Sequence, residues 1–383
     1  MILALQTTTF GVHGGIPTYN RLVCRVLNDI CEADQSQVLI ATDKASDIER
    51  PAIQLENLRL KAFDQNRRTL MRHFVRLALT QQFALALMGH VNYAPLGCVL
   101  KSVQPKMRNG VMLYGIEAWQ RLPLLRRRAL QRADFLIAIS DYTKQRAIEA
   151  NSLKPERIYV LPNALEWEVE PTSIVTQSPT NVATSLLSVC RLEQTEQYKG
   201  VDTVIEALPY VARRVPDIEY VVVGGGTDLQ RHKLMAQRLG VANRVQFLGF
   251  LNDDALRACY RRCDLFVMPS AGEGFGFVFL EAMRYGKAIV AAKSGGAPEV
   301  IQDGITGSLV AYGNKEQLAE TIIGLCFDQT RRLRLGEAGY ERLQKRFTYA
   351  HFKQRLTEIV MLELQREAGY RSSRSDESVS CAS

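Results

Sequence analysis

The amino-acid sequence predicts an α/β protein with two successive Rossmann-like domains, and three observations support this. Short apolar runs alternate with longer segments of helical periodicity, which is the pattern of parallel sheets joined by crossover helices. The chain has 383 residues, the length of about two domains. A single polar, proline-containing stretch interrupts the alternation. We therefore expect an N-terminal domain over 1–166, a linker over 167–184 and a C-terminal domain over 185–345.

The strands are predicted from short apolar runs that end at glycine, proline or polar residues. In the first domain they are Ile2–Gln6, Val38–Thr42, Val111–Leu113, Phe135–Ile139 and Ile158–Leu161. In the second domain they are Leu186–Cys190, Tyr220–Val223, Val245–Leu248, Leu265–Met268, Ala288–Ala291 and Ser308–Val310. The helices predicted between the later strands are Val201–Arg214, Asp228–Leu239, Asp253–Arg262, Val278–Tyr285 and Lys315–Phe327.

A glycine-rich loop follows the first strand and carries Gly11, Gly14 and Gly15. A helix is predicted from about Thr18, because apolar residues then recur at four-residue spacing. The chain end is different in character. It is helical and amphipathic to about residue 369, and the serine-rich tail over 370–383 is expected to be unstructured.

The sequence indicates a cytoplasmic protein. Met1–Gln6 lacks the basic start and the long apolar stretch of a signal peptide. No run reaches the about 18 apolar residues of a membrane span. The eight cysteines form no CxxC pair, and Cys259 and Cys263 have no histidine or second cysteine pair to complete a zinc site. We expect reduced thiols.

The net charge of +8 is carried entirely by the first 166 residues, which hold 22 basic and 14 acidic side chains. The excess lies in two helix-like segments with interleaved apolar residues: Arg67, Arg68, Arg72, Arg76 and Arg121, Arg126, Arg127, Arg128, Arg132. A basic amphipathic face attracts an anionic membrane surface, and a merely solvated face is the alternative. Nucleic acid is not expected, because no nucleic-acid-binding motif accompanies the charge.

The segment that indicates chemistry most sharply is Pro269–Met283. A strand ends at Met268, a glycine-rich turn follows, and a helix starts near Phe277. The unpaired amides of such a helix start suit a diphosphate. Glu273 lies on the turn and Glu281 inside the helix. Solvated carboxylates are the alternative, but the apolar residues around them argue that these acids have partners.

This segment resembles the EX7E motif of glycosyltransferase family 4, in its EGFG…LEAM form. Other stretches resemble motifs of the same family in the right order over residues 186–310: Ser188–Leu192 with Lys199–Asp202, Gly224–Gly226, Val245–Gly249, Gly295–Glu299 and Asp303–Gly307. Cys190 stands where the family usually has glycine.

The first half resembles the family more loosely. The loop His13–Ile16 is similar to the acceptor-side Gly-Gly loop, and Leu87–His90 to the strand end that carries an active-site histidine. Further stretches that fit are Gly115–Trp119 and Ala138–Thr143. There are two departures, Pro17 inside the first loop and Tyr114 at a position where histidine is common.

The resemblance implies the GT-B fold, two Rossmann-like domains that face each other across a deep cleft, with a terminal helix over 346–369 crossing back to the first domain. It implies that Arg191 and Lys199 bind the donor diphosphate in place of a metal ion, and that His90 and Glu273 act on the transferred sugar. We expect Glu281 to face the ribose. The remaining donor contacts are expected from Gly14, Gly15, Gly225, Gly274, Phe275, Gly276, Phe277 and Glu299.

Alternatives exist for four of these side chains. For His90, a lone histidine beside Gly89 and an apolar strand, the alternative is a purely structural role. Arg191 and Lys199 have Glu193 and Glu196 nearby in sequence, so a surface ion pair is the other interpretation. Glu299 is also explained as a first-turn acid favoured by the helix dipole. No cofactor or metal is expected, because no DxD segment is placed to hold a metal against phosphates.

The family retains the anomeric configuration. A double displacement needs a carboxylate nucleophile, and Glu117 is the one first-domain acid on a suitable glycine-containing loop. We favour front-face attack, in which the leaving phosphate accepts the proton of the acceptor hydroxyl and the protein supplies positioning and electrostatics.

The predicted function is transfer of a hexosyl unit from a UDP- or GDP-sugar to a saccharide or lipid-linked saccharide, in surface polysaccharide or glycolipid biosynthesis. The enzyme is expected in the cytoplasm or on the inner face of the membrane. A sugar-nucleotide epimerase of the same fold and a non-catalytic nucleotide-sugar-binding scaffold are the alternatives. An NAD-dependent dehydrogenase is excluded, since no GxGxxG links a strand to a helix.

Overall fold

The computed structural model describes residues 1–49, 54–165 and 184–379, with side chains to residue 366. The chain divides into two compact units. Unit 1 comprises Met1–Glu166 and Tyr349–Ser383, and unit 2 comprises Trp167–Thr348. The linker expected over 167–184 lies outside the described residues, apart from Thr184.

Unit 1 contains a seven-stranded sheet in which all neighbouring strands are parallel. Its strands are β1 (Ile2–Gln6), β2 (Ser36–Ile40), β3 (Leu58–Ala62), β4 (Leu85–Met88), β5 (Arg108–Leu113), β6 (Phe135–Ala138) and β7 (Ile158–Val160). They lie in the order β3-β2-β1-β4-β5-β6-β7. Every residue of β1 and β2 is buried, as expected for a parallel sheet covered on both faces.

The helices before residue 166 alternate with these strands. They are α1 (Gly15–Ile30), α2 (Ala45–Glu49), α3 (Arg67–Thr80), α4 (Ala94–Val103), α5 (Leu124–Arg132) and α6 (Asp141–Asn151). Helix α1 begins at Gly15, three residues before the predicted start. Pro17 therefore lies in its first turn, where a backbone N–H has no intrahelical acceptor, and proline is tolerated there. This accounts for the departure of Pro17 from the family pattern.

Unit 2 contains a six-stranded parallel sheet with the same kind of order. Its strands are β8 (Ser185–Val189), β9 (Glu219–Val223), β10 (Val245–Gly249), β11 (Leu265–Met268), β12 (Ala288–Ala292) and β13 (Ser308–Val310). Its helices are α7 (Val201–Arg214), α8 (Leu229–Arg238), α9 (Asp253–Arg262), α10 (Phe277–Arg284), α11 (Ala297–Val300), α12 (Lys315–Phe327) and α13 (Gln329–Arg346). The strand order is β10-β9-β8-β11-β12-β13.

Both sheets reverse their strand order at one point, between β1 and β4 in unit 1 and between β8 and β11 in unit 2. In open α/β sheets, ligands bind outside the carboxyl ends of the strands at such a reversal. The predicted fold class, two α/β domains with parallel sheets, is confirmed.

The last helix, α14 (Tyr349–Val379), belongs to unit 1 and packs on α1. The ring of Phe352 is buried and lies edge to face with Tyr19, with 5.2 Å between centroids. The helix bounds extend to Val379, and the unstructured tail expected over 370–383 stays a prediction. Residues 380–383 lie outside the described part.

Candidate functional site

The candidate site of unit 2 is centred on an ion pair between Lys199 and Glu273. The Nζ atom of Lys199 lies 2.6 Å from Oε1 of Glu273, and the two side chains are 19% and 10% exposed. Lys199 follows β8 and Glu273 follows β11, the neighbouring strands between which the sheet reverses its order. The pair therefore lies where the topology places a ligand site.

Close backbone packing brings these two segments together. The N–H of Ala271 donates to the carbonyl of Tyr198 over 2.8 Å. Gly200 has a positive φ of 80°, and a Cβ atom there would lie 2.4 Å from the carbonyl oxygen of Pro269. Only glycine fits this approach, so the KG pair of the sequence motif positions the lysine against the turn that carries Glu273.

The ion pair keeps Lys199 charged. Burial by itself would lower the pKa of Lys199, but the adjacent carboxylate of Glu273 outweighs this effect and holds the pKa above its usual range. The sequence analysis offered Glu193 and Glu196 as ion-pair partners, and for Lys199 this interpretation is wrong. Its partner is 74 residues away along the chain, a contact that depends on the fold.

Arg191 forms the surface ion pair that was the alternative interpretation. Its guanidinium is 65% exposed and is paired with the carboxylate of Glu196. The backbone beside it is held firmly, because the N–H of Leu192 donates to Gly225 over 3.0 Å and the carbonyl of Leu192 accepts from Asp228 over 2.8 Å. The glycine turn over 224–226 thus positions the segment that carries Arg191.

A cluster of charged side chains that the sequence did not reveal links the two cation-bearing segments. Arg231 binds both carboxylate oxygens of Asp202 at 2.9 Å, and its Nε lies 2.8 Å from Asp228. His232 adds a contact of 2.9 Å from Nε2 to Asp202. Asp202 is in the first turn of α7, three residues after Lys199, and Asp228 holds Leu192. The guanidinium of Arg231 therefore connects the segment that carries Lys199 to the segment that carries Arg191.

The glycine pair Gly295–Gly296 packs directly on the turn that carries Glu273. The N–H of Gly296 donates to the carbonyl of Glu273 over 2.7 Å. A Cβ atom at Gly295 would lie 2.5 Å from that same carbonyl oxygen. Glu299 follows in the first turn of α11, half-buried, and its carbonyl accepts from Arg342 over 2.8 Å. The structure thus brings Glu273, Gly274 and the loop of Glu299 together.

The start of α10 separates the predicted donor residues into two kinds. Gly274 and Gly276 form the turn, and the half-buried Phe277 is the first helical residue. The ring of Phe275 is only 1% exposed and packs edge to face on Phe347, so the predicted donor contact of Phe275 is restricted to its backbone. The ring of Phe275 thus belongs to the core of unit 2.

Glu281 is held inside α10 by a tyrosine. The hydroxyl of Tyr260 donates to Oε2 of Glu281 over 2.6 Å. Burial raises the pKa of Glu281, and this hydrogen bond opposes the rise. The second acid of the EX7E motif is therefore held in one orientation by Tyr260.

In unit 1, His90 lies two residues after the end of β4, at the reversal of the sheet. Its Nδ1 accepts from the N–H of Asn92 over 3.1 Å. Burial, helped by the positive charge of Arg126, lowers the pKa of His90 to about 4. The imidazole is therefore neutral at pH 7. Because Nδ1 is an acceptor, the ring proton is on Nε2, which is available as a donor.

The glycine-rich loop after β1 is held by Asp43, which the sequence analysis missed. The Asp43 carboxylate is buried and accepts from the N–H groups of Thr9 and Phe10, at 3.0 and 2.6 Å, and from the Thr8 hydroxyl. A carboxylate with several backbone donors fixes a loop strongly. An aspartate just after a strand was the only signal in the sequence, and it did not indicate the loop 34 residues earlier.

Tyr114 has a structural contact at the position where the family often has histidine. Its hydroxyl donates to Oδ1 of Asn20 over 2.7 Å, and Nδ2 of Asn20 donates to the carbonyl of Thr8 over 2.7 Å. Tyr114 therefore supports the glycine-rich loop that leads to Gly14 and Gly15.

Glu117 is occupied by backbone groups. Its carboxylate accepts from the N–H of Tyr114 at 2.5 Å and of Gly115 at 3.1 Å. Burial raises the pKa of Glu117, and these hydrogen bonds oppose the rise. The carboxylate considered as a nucleophile thus stabilises its own loop.

Other features concern the described part as a whole. Its seven cysteines are free thiols, and burial raises the pKa of Cys190 to about 12. Among the described residues, no group of three or more His, Cys, Asp or Glu side chains is arranged to hold a metal ion. In the same part of the chain, every helix is too short or too polar to cross a membrane.

Two parallel α/β units that each reverse their strand order at one point have the fold of the GT-B glycosyltransferases. Residues 183–342 match the family described as glycosyl transferases group 1, which confirms the resemblance predicted from the motifs.

Similar proteins agree with this class. The chain is 34% identical over 243 residues to a GDP-mannose-dependent alpha-(1-6)-phosphatidylinositol monomannoside mannosyltransferase of Mycobacterium tuberculosis (strain CDC 1551 / Oshkosh), covering 58% of this chain and 61% of the relative. It is 29% identical over 266 residues to an alpha-maltose-1-phosphate synthase of Mycolicibacterium smegmatis (strain ATCC 700084 / mc(2)155), with 64% and 66% coverage. The chain thus spans less than two thirds of the length of both relatives.

Solved structures share the fold over almost the whole chain. The Anabaena protein Alr3699/HepE in complex with UDP superimposes with a TM-score of 0.75 at 22% identity, covering 94% of this chain and 99% of that one. The lipopolysaccharide outer core galactosyltransferase WaaB gives a TM-score of 0.72 at 17% identity, covering 94% and 99%.

Proposed function

We propose that this protein is a retaining, metal-independent glycosyltransferase that moves a hexosyl unit from a UDP- or GDP-sugar to a saccharide or lipid-linked saccharide. The observation that carries the proposal is the Lys199–Glu273 pair at the reversal point of the second sheet, beside the start of α10. Relatives named as glycosyltransferases, one of them GDP-mannose-dependent, and similar folds bound to UDP support a nucleotide-sugar donor.

Lys199 and Arg191 supply the positive charge that the leaving diphosphate requires. The diphosphate is expected at the amides of the α10 start, where the helix dipole favours an anion. Lys199 has three N–H donors, so it can keep its contact to Glu273 while it binds a phosphate oxygen. Arg191 is exposed and free to exchange Glu196 for a phosphate, because a surface ion pair is weak. These two cations take the role of a metal ion.

Transfer with retention is proposed to occur by front-face attack. The acceptor oxygen bonds to the anomeric carbon on the face from which the diphosphate oxygen leaves, and the acceptor proton goes to that departing phosphate oxygen. Glu117 is held by two backbone amides, which supports a route without an enzyme-bound sugar. Trapping a glycosyl-enzyme intermediate on any side chain would contradict this route.

The role proposed for His90 is a hydrogen bond to the transferred sugar. Its ring is neutral and carries the proton on Nε2, so it donates to a sugar hydroxyl and does not act as a base at pH 7. A fixed donor of this kind helps to hold the anomeric carbon near the acceptor.

The cellular setting we propose is the cytoplasm, at the inner face of the membrane, in surface polysaccharide or glycolipid biosynthesis. The basic first 166 residues and the name of the phosphatidylinositol-mannoside relative support a lipid-linked acceptor.

Thermal stabilisation by UDP-, GDP-, ADP- and dTDP-sugars, measured with EDTA present, tests the donor site. A ligand at a hundredfold excess over its Kd adds about 2.7 kcal/mol to the free energy of unfolding. We expect one nucleotide to stabilise the wild type, Arg191→Ala to lose most of the effect, and Arg238→Ala to keep it. Arg238 is the matched control, an exposed arginine on α8.

Two outcomes would contradict the proposal. If no nucleotide sugar stabilises the wild type with or without a saccharide acceptor, the donor site is absent. If the product formed with the active donor shows an inverted anomeric centre by NMR, retention is wrong.

A further inference from the structure

Residues 65–133 carry a larger excess of positive charge than the chain as a whole. They contain twelve lysines and arginines and a single acid, Glu117. The helices α3, α4 and α5 in this stretch contain no aspartate or glutamate. A cationic region of this size attracts an anionic partner over the range of the Debye length, about 8 Å in physiological salt.

The three helices form one continuous surface, which we name the α3–α5 face. The connections β3 to β4, β4 to β5 and β5 to β6 all run in the same direction across the sheet, so right-handed crossovers place all three helices on the same side. Helix α4 packs against both α3 and α5. The thiol of Cys98 on α4, for example, lies 3.6 Å from the carbonyl oxygen of Ala129 on α5.

Apolar side chains project into solvent from each helix of the α3–α5 face. On α3 they recur every four residues, which places them in one stripe, and Leu79 is 71% exposed. On α5, Leu125 is 70% exposed. The full set comprises Met71, Val75, Leu79, Val99, Val103, Leu124 and Leu125.

Arginines border these apolar side chains. Arg68, Arg72 and Arg76 repeat with the same spacing as the apolar stripe and lie beside it on α3, and all three are exposed. Arg128 is exposed on α5. Within the part of the chain that the structure describes, the arginines of α3 and α5 form no ion pair with a carboxylate.

We propose that the α3–α5 face docks onto an anionic lipid bilayer, with the apolar side chains entering the interface and the arginines contacting lipid phosphates. An apolar stripe bordered by arginines fits the plane between head groups and acyl chains. Nucleic acid fits less well. It offers phosphates but no apolar layer for Leu79 and Leu125, and the helices α4 and α5 contain no aromatic residue on which a base stacks.

The α3–α5 face reaches the candidate site of unit 1. Helix α4 begins four residues after His90, and Arg126 is close enough to His90 to help lower its pKa. Docking by this face therefore brings the bilayer surface next to the residue proposed to contact the sugar. The docking inference rests on the proposed function only for the nature of the acceptor. It deepens that function by making a membrane-embedded lipid the carrier of the acceptor saccharide.

Flotation with vesicles tests docking without reference to catalysis. The vesicles are phosphatidylcholine alone or an equal mixture of phosphatidylcholine and phosphatidylglycerol. We expect the wild type to float only with the anionic vesicles, and less at high salt. Each arginine near an anionic surface contributes about fivefold to partitioning, so Arg72→Gln, Arg76→Gln and Arg128→Gln together should lower it about a hundredfold.

A second variant separates the apolar contribution. Val75→Ser, Leu79→Ser and Leu125→Ser together should reduce flotation at low salt and abolish it at high salt, because only the electrostatic attraction then remains. The control is Leu234→Ser with Arg238→Gln, an exposed pair of the same chemistry on α8 of unit 2, and it should float like the wild type.

The proposal is overturned if the wild type does not float with anionic vesicles, if both variants float as well as the wild type, or if the α3–α5 face binds RNA while vesicles do not compete. Thermal stabilisation by the nucleotide sugar is measured on every variant. If it persists while flotation fails, the docking inference fails and the proposed donor site stands. If the nucleotide sugar does not stabilise a wild type that floats with anionic vesicles, the proposed donor site fails and the docking inference stands.

Discussion

Replacement of His90 by glutamine should remove a pH dependence from the stability of the protein. The native pKa of His90 is about 4, whereas an unfolded histidine titrates near about 6.5. Between these values the unfolded chain binds a proton that the native protein does not. The free energy of unfolding therefore rises with pH across this window and is highest above it. The difference of about 2.5 pKa units corresponds to about 3 kcal/mol.

Urea unfolding between pH 7 and pH 4 measures this term. The wild type should lose about 3 kcal/mol more than His90→Gln as the pH falls through the window, because glutamine does not titrate. His351→Gln, at an exposed position on α14, is the matched control and should follow the wild type. A constant difference between wild type and His90→Gln at every pH would refute the reasoning, since it would mean that burial does not exclude the proton from His90.

Three further predictions concern charges inside the fold. Lys199→Met should lower the free energy of unfolding by about 3 kcal/mol, because it leaves Glu273 buried without a counter-charge, and the double variant with Glu273→Gln should recover part of it in calorimetry. Glu363→Gln, at a fully buried carboxylate with two cationic partners, should cost about 3 kcal/mol in urea unfolding, and the exposed Glu358→Gln on the same helix less than about 0.5 kcal/mol. Arg231→Met should weaken nucleoside diphosphate binding about tenfold in titration calorimetry with kcat less affected, and Arg231→Lys should restore part of the affinity. Equal affinities of Arg231→Met and the wild type would show that the cluster around Arg231 does not position Arg191 and Lys199.

Elements with strong local signals were predictable from the sequence. The strand ending at Met268 and the turn of Glu273 were placed correctly, because an apolar run, a glycine-rich turn and a helical periodicity follow one another without conflict. Strand β3, by contrast, was missed. It alternates leucine with arginine and lysine at the edge of the sheet, so it lacks the β-branched apolar run of a buried strand.

The contacts that shape the site were beyond a reading of neighbouring residues. The nearest acids in sequence to Lys199 were not its partner, and Asp43 and Arg231 belong to no motif, although each holds a loop of the candidate site. Such pairings depend on which strands lie side by side, and parallel sheets bring together segments far apart in the chain. Phe275 shows that membership of a motif can also mislead. It was predicted as a donor contact because it belongs to the motif, but its ring is in the core.

The return of α14 to unit 1 has a consequence for the order in which the protein matures on the ribosome. Unit 2 is one continuous stretch of chain, whereas unit 1 needs residues that are synthesised after unit 2. Until α14 emerges, the face of α1 on which Phe352 packs stays uncovered, and Arg108 lacks the carboxylate of Glu363. Unit 2 can therefore complete its core first, and the earlier-made unit 1 must wait until α14 has been synthesised, with the apolar face of α1 in need of protection meanwhile.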